Sequence, residues 1–154
     1  MKRILKWTAV AIICLLAAAQ FIRPVRSNPT SVASQSVEAH LQLSPEVASI
    51  LDRSCNDCHS NKTRWPWYSN VAPVSWFVID HVNNGRGALN FSEWGMYERE
   101  DAVGMLKHIC EEIEAGVMPL DSYTRIHRDA KMSSQEVKLI CDWTKTERAR
   151  LTAR

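Results

Sequence analysis

The chain has 154 residues, 45% hydrophobic and 23% charged, which suits one modest core with a tail and excludes a disordered chain or a polytopic membrane protein. Its net charge of +2 arises at one end: Lys2, Arg3, Lys6, Arg23 and Arg26 precede residue 27, and beyond them fourteen Lys and Arg face seventeen Asp and Glu. No clustered basic run is left to form a nucleic-acid surface.

Met1 to Lys6 is basic, and Trp7 to Ile22 then runs sixteen residues without a charge, the pattern of an export signal or a membrane anchor. As a helix this run spans about 24 Å, against a hydrocarbon layer of roughly 30 Å. Ala17-Ala18-Ala19 offers a cleavage site before Gln20, whereas Phe21-Ile22 prolongs the apolar run as an anchor requires. Residues 1–26 are therefore an anchor or signal segment, the uncleaved anchor being favoured. Cys14 follows Ile13 rather than a small residue, so it reads as apolar filler and not as a lipid-attachment site. In either version the basic end stays inside, and the remainder faces the bacterial periplasm.

Residues 27–40 are rich in Ser, Pro, Asn and Gln with scattered apolar residues, and read as a flexible linker. The domain is expected over 41–154. Ser44 is an N-cap with Pro45 at the first helical position, and Val47, Ile50 and Leu51 share a face, so a short helix delivers the chain to Cys55. Pro73 opens a second helix with Val74, Phe77, Val78 and His81 on one face, ending around Asn83-Asn84-Gly85. A third runs from Asp101 to Ala115 with Val103, Leu106, Ile109, Cys110 and Ile113 inward and Gly116 as its stop. Ser133 and Glu136 form a capping box for a last helix whose Val137, Ile140 and Cys141 face the core. No alternating strand-length run competes, so the fold class is all-α.

The sharpest chemical signal is Cys55-Asn56-Asp57-Cys58-His59. Two thiols at this spacing can add to the two vinyl groups of a haem, with the adjacent histidine beneath the iron. The competing readings are a redox dithiol, which wants a preceding strand, and half a zinc site, which wants a second ligand pair. Neither companion is present in the sequence, since Cys110 and Cys141 stand apart. One covalent haem c through Cys55 and Cys58, with His59 as proximal metal ligand, is the reading adopted. Met118, in the loop between the third and last helices, is the expected second ligand. His81 and His127 are the alternatives, and Met96, Met105 and Met132 read as core filler. Arg64, Trp65, Trp67 and Tyr68 follow the motif closely, and walling the macrocycle or binding its propionates is as consistent with them as plain aromatic core. Cys110 and Cys141 lie on inward faces, and a disulfide and plain thiol packing are equally consistent with that.

Beyond the haem motif, Thr63-Arg64-Trp65-Pro66-Trp67-Tyr68-Ser69, Ala72-Pro73-Val74-Ser75-Trp76, Asn90-Phe91-Ser92-Glu93-Trp94, and Met118-Pro119-Leu120 with Tyr123 and His127 stand out. In these segments the chain resembles the haem-binding domain family of single-haem, cytochrome-c-like bacterial envelope proteins, over roughly Leu41 to Arg148. The resemblance implies haem binding, and the apolar start ending in Ile22-Arg23-Pro24 fits the anchor such proteins carry. The expected role is one-electron transfer in the periplasm at the inner membrane, with unidentified redox proteins as partners. No acid, base or nucleophile constellation marks an enzyme. An open iron position beside Arg125 or His127 would instead make a haem enzyme or gas sensor, and a third reading is an interaction module in which haem is a folding staple.

Overall fold

The computed structural model describes residues 1–153. Eight α-helices follow one another: α1 (Lys2–Ala19), α2 (Val37–His40), α3 (Pro45–Ser54), α4 (Asn56–His59), α5 (Val74–Ala88), α6 (Arg99–Glu114), α7 (Asp121–Thr124) and α8 (Ser134–Thr152). Short 3-10 turns at Ala33–Gln35, Trp67–Asn70, Phe91–Met96 and Arg128–Ala130 connect them, and no strand occurs among the described residues.

Helix starts follow local chemistry. The Ser44 hydroxyl accepts from the Val47 amide at 3.3 Å with Pro45 at the first helical position, satisfying an amide that the helix leaves unpaired. At α8 the box is reciprocal: the Ser133 hydroxyl accepts from the Glu136 amide at 3.3 Å and the Glu136 carboxylate accepts from the Ser133 amide at 2.8 Å. Helix α6 ends in a Schellman turn. Gly116 takes a φ of 70°, and the amides of Gly116 and Val117 donate to the carbonyls of Ile113 and Glu112.

The core is built mainly where α8 packs along α6 and against α3, through Val47, Ile50, Leu51, Leu106, Ile113, Ile140 and Trp143. Leu106 is 0% exposed. Cys110 and Cys141 are joined by a disulfide between α6 and α8, with Cα atoms 4.9 Å apart; of the two readings left open by the sequence, the bridge is the one realised.

Two expectations change. The segment read as a flexible linker carries α2, and its Val37 is buried in the main cluster with Leu41 and Trp94. The folded unit therefore starts upstream of residue 41, because one apolar residue in a polar stretch suffices to pin it. The second helix does not stop at Gly85 but runs to Ala88. Gly85 lies where α5 crosses the Cys58 peptide, and a Cβ there would stand 2.6 Å from the Cys58 carbonyl oxygen. It is a close-approach glycine rather than a terminator.

Helix α1 buries none of its residues. No helix among the described residues is long and apolar enough to cross a membrane; α1 includes the charged Lys2, Arg3 and Lys6 in its 18 residues.

Candidate functional site

Cys55 caps the end of α3, and the single turn α4 carries Cys58 and His59. The amides of Cys58 and His59 both bond to the Cys55 carbonyl, at 3.1 and 2.9 Å, so the two thiols and the imidazole share one helical turn. Ring atom Nδ1 of His59 lies 3.1 Å from the Leu89 carbonyl oxygen. A carbonyl can only accept, so Nδ1 carries the proton and Nε2 keeps its lone pair. This is the orientation that metal-bound imidazoles receive from an outer hydrogen bond. Burial pulls the His59 pKa below its usual value, against the opposing effect of that bond, which keeps the ring neutral and able to ligate.

Burial pushes the Cys55 thiol up to about 12, and the negative charge of a Cys58 thiolate adds to this. Cys58 is raised to about 11 by burial and then by Asp57. A redox dithiol of the thioredoxin kind needs a depressed thiol pKa, so that competitor finds no support. Nor does zinc: among the described residues, the His, Cys, Asp and Glu cluster with ligand atoms close enough for a metal is Cys110, Glu114 and Cys141. Both of its sulfurs are tied in the disulfide.

Three adjoining cavities form one cleft beside His59. The first, about 330 Å³, is walled by Cys55, His59, Phe91, Met105, Ile109, Met118 and Met132. His59 and Met118 also line the second, about 260 Å³, with Cys58, His81 and Tyr123. Cys58, His81 and Tyr123 continue into the third, about 360 Å³, which adds Arg64, Tyr68, Phe77 and His127. Together these volumes are in the range of cofactor sites, and the walls are mainly apolar. Met105 and Met132, expected as core filler, do pack against the core cluster and also form cleft wall, while Met96 is 70% exposed.

The expected site residues divide. Cys55, Cys58, His59 and Met118 are brought to one cleft, Met118 being carried there by the turn after Gly116. Arg64 and Tyr68 line its far end. Trp65 and Trp67 do not line it. Trp67 is 78% exposed, and the Trp65 ring sits beside the guanidinium groups of Arg26 and Arg86 at 5.9 and 6.0 Å, with its indole donating to Asn28. Alternation of aromatics in an irregular segment does not reveal which rings turn inward, and these two turn away. Of the alternative ligands, His127 reaches only the third cavity and is hydrogen-bonded through Nε2 to the Tyr68 hydroxyl at 2.6 Å. His81 lines the second and third, with Nδ1 donating to the Phe77 carbonyl at 2.8 Å.

One residue escaped the sequence reading altogether. Asp57, inside the haem motif, is buried and accepts from the Arg64 amide and Nε at 3.0 and 3.1 Å and from the Tyr123 hydroxyl at 2.8 Å. It thereby ties α4 to the following loop and to α7. Tyr123 in turn stacks on His127, ring centroids 4.3 Å apart. The Asn-Phe-Ser-Glu-Trp segment performs the matching task on the other flank: Asn61, two residues after His59, meets Ser92, Glu93 and Asn90 through hydrogen bonds of 3.0, 3.1 and 2.8 Å.

The donor set fits a haem: two unactivated thiols at vinyl-adding spacing, an imidazole fixed in the ligating tautomer, and an apolar cleft with a thioether on its wall. Fold and site together define an all-helical haem-binding protein. The family model described as the haem-binding domain matches residues 14–146, and the chain belongs to that family. No curated protein and no solved structure gives a significant match to it.

Proposed function

We propose that the chain is a c-type cytochrome that carries one haem, attached through the sulfurs of Cys55 and Cys58, and serves one-electron transfer in the bacterial periplasm. The observation that carries this reading is the meeting of both thiols, the free Nε2 side of His59 and Met118 on one cleft. Haem bound there supplies reversible one-electron iron chemistry. The chain's own residues do the rest. His59 presents Nε2 in an orientation held by Leu89, and Met118 faces the same space as the second ligand. Leu89, Phe91, Ile109 and Ile113 give the first cavity an apolar wall, which would favour the less charged reduced iron. Arg64 and Tyr68, at the far end, are placed to meet propionates.

Periplasmic placement is supported by the Cys110–Cys141 bridge, a bond that persists in oxidising compartments. It is also supported by the apolar, exposed α1 with its basic end, which we assign to holding the chain at the inner membrane. Intact mass should equal the polypeptide plus one haem; the bare polypeptide mass in exported protein overturns the proposal. For Met118→Ala we expect loss of the far-red charge-transfer band of Met–iron ligation and a lowered potential, read by absorption and redox titration. An unchanged spectrum would give the second ligand to another residue, His81 first.

A further inference from the structure

The segment after α1 touches the folded domain along its whole length. The Gln20 side chain makes a paired bond with the Ala72 backbone, donating to its carbonyl and accepting from its amide, both at 3.0 Å. The Trp76 indole donates to the Ile22 carbonyl at 2.8 Å. Arg26 donates to Ser69 at 3.0 Å and also to Asn70. Asn28 donates to the Thr63 carbonyl at 2.9 Å and accepts from the Trp65 indole at 3.0 Å. Arg86 of α5 completes the set, reaching the Ser27 carbonyl at 2.9 Å and the Asn28 side chain at 3.0 Å. The same guanidinium holds the Ser60 carbonyl at 2.8 Å and the Thr63 hydroxyl at 2.7 Å, next to the Cys-x-x-Cys-His turn.

We infer that residues 20–28 are a docked strap. The surface formed by the 63–76 segment and Arg86 is a docking site for this chain's own post-helix segment, which fixes α1 against the domain and braces the loop behind His59. Each bond alone is weak at a partly exposed surface. Together they form one network, because Asn28 and Arg86 share partners and Trp65 is flanked by both arginines, and removal of any member leaves others unpaired. The arrangement explains why Trp65 and Trp76 offer their indole N–H groups to the strap. It also separates two mechanical pictures: a domain swinging on a polar leash, and a cleft held at a set orientation to α1. The strap stands independently of the haem assignment, since its contacts meet the cleft lining only at Thr63 and none of them is to Cys55, Cys58, His59 or Met118.

Trypsin tests it on the full chain in detergent, because Arg26–Ser27 is the tryptic bond inside the strap, Arg23 being followed by Pro24. Cleavage of such a bond tracks the population of the opened segment. The double variant Asn28→Ala, Trp76→Phe removes four strap bonds and should raise cutting at Arg26–Ser27 at least about tenfold. Equal rates in the two proteins overturn the strap. A second measurement needs no variant: the indole hydrogens of Trp65 and Trp76 should exchange at least about tenfold more slowly than that of exposed Trp67. Equal exchange refutes the docking even if the double variant folds poorly.

Discussion

Helices α5 and α6 both carry an apolar stripe at helical spacing, but the two stripes end in different surroundings. On α6 the stripe is met mainly by protein: Ala102, Leu106 and Ile113 are buried, α6 packs along α8, and a disulfide fastens that contact, while Ile109 and Ile113 also reach the cleft wall. On α5 the face bearing Val74, Phe77, Val78 and His81 looks into the cleft, and Val74 and Phe77 are 43% and 51% exposed. The buried residues of α5 are instead Ser75, Ile79 and Val82. Periodicity thus identifies an apolar face without saying what covers it. Exposure of large side chains on one continuous face, next to the Cys-x-x-Cys-His turn, is what a stripe covered by the proposed haem would leave bare.

The hardest test of that contrast is Cys55→Ser with Cys58→Ser. We expect complete loss of covalent haem by intact mass. Amide exchange should accelerate at least about tenfold in α5, less in α6, which lends Met105, Ile109 and Ile113 to the cleft wall but is fastened to α8, and least in α8, which lines none of the three cavities. Equal acceleration in all three helices would erase the distinction.

Next in size is Leu106→Ala, which opens the fully enclosed core and should cost about 2–5 kcal/mol in denaturant unfolding. Phe77→Ala sharpens the contrast, because its cost should be larger in the haem-loaded protein than in the Cys55→Ser, Cys58→Ser background. A cost independent of haem would place Phe77 outside the haem contact. Replacing Cys110 and Cys141 together by Ser should remove about 2–4 kcal/mol, the typical worth of closing a loop of this kind, from α6–α8 packing.

The same contrast shows what the sequence can carry. Helix starts were legible because a cap is a local event: Ser44 and Ser133 each bond an amide three residues on. The Cys-x-x-Cys-His trio was legible because haem attachment would fix its spacing, and the fold shows that the three residues share a turn. What depends on partners far along the chain was hidden. Asp57 gains its role from Tyr123, 66 residues away. Gly85 has the look of a helix stop, and its actual constraint comes from the Cys58 carbonyl on another helix. Trp65 was placed on the haem because it follows the motif, yet its partner, Asn28, lies 37 residues upstream in what read as linker. Val37 gave no periodic signal at all, being one of a few scattered apolar residues, and its burial is decided by the packing of α2 against Phe91–Met96.

The smallest expected effect concerns the seam between the two regions. Glu136, at the start of α8, accepts from the Ser133 amide and hydroxyl at 2.8 and 2.9 Å and pairs with Arg53. Arg53 also donates to Ser54 at 3.1 Å, one residue before Cys55. The Ser133 amide first, then the Arg53 and Ser133 side chains, hold the Glu136 carboxyl down at about 2, against an ordinary value of 4.5. A carboxylate depressed in the folded state adds stability that is fully present above the unfolded value and is lost as pH falls through the folded one. The stability gap between the wild-type protein and Glu136→Gln should therefore be constant above about pH 5, narrow as pH falls through 4.5, and close near pH 2. Ser133→Ala removes the other half of the box and should cost about 1 kcal/mol. Its effect on haem absorption discriminates further: a spectrum unchanged by Ser133→Ala but shifted by Glu136→Gln would mean that the seam acts on the haem turn through Arg53, not through the helix cap.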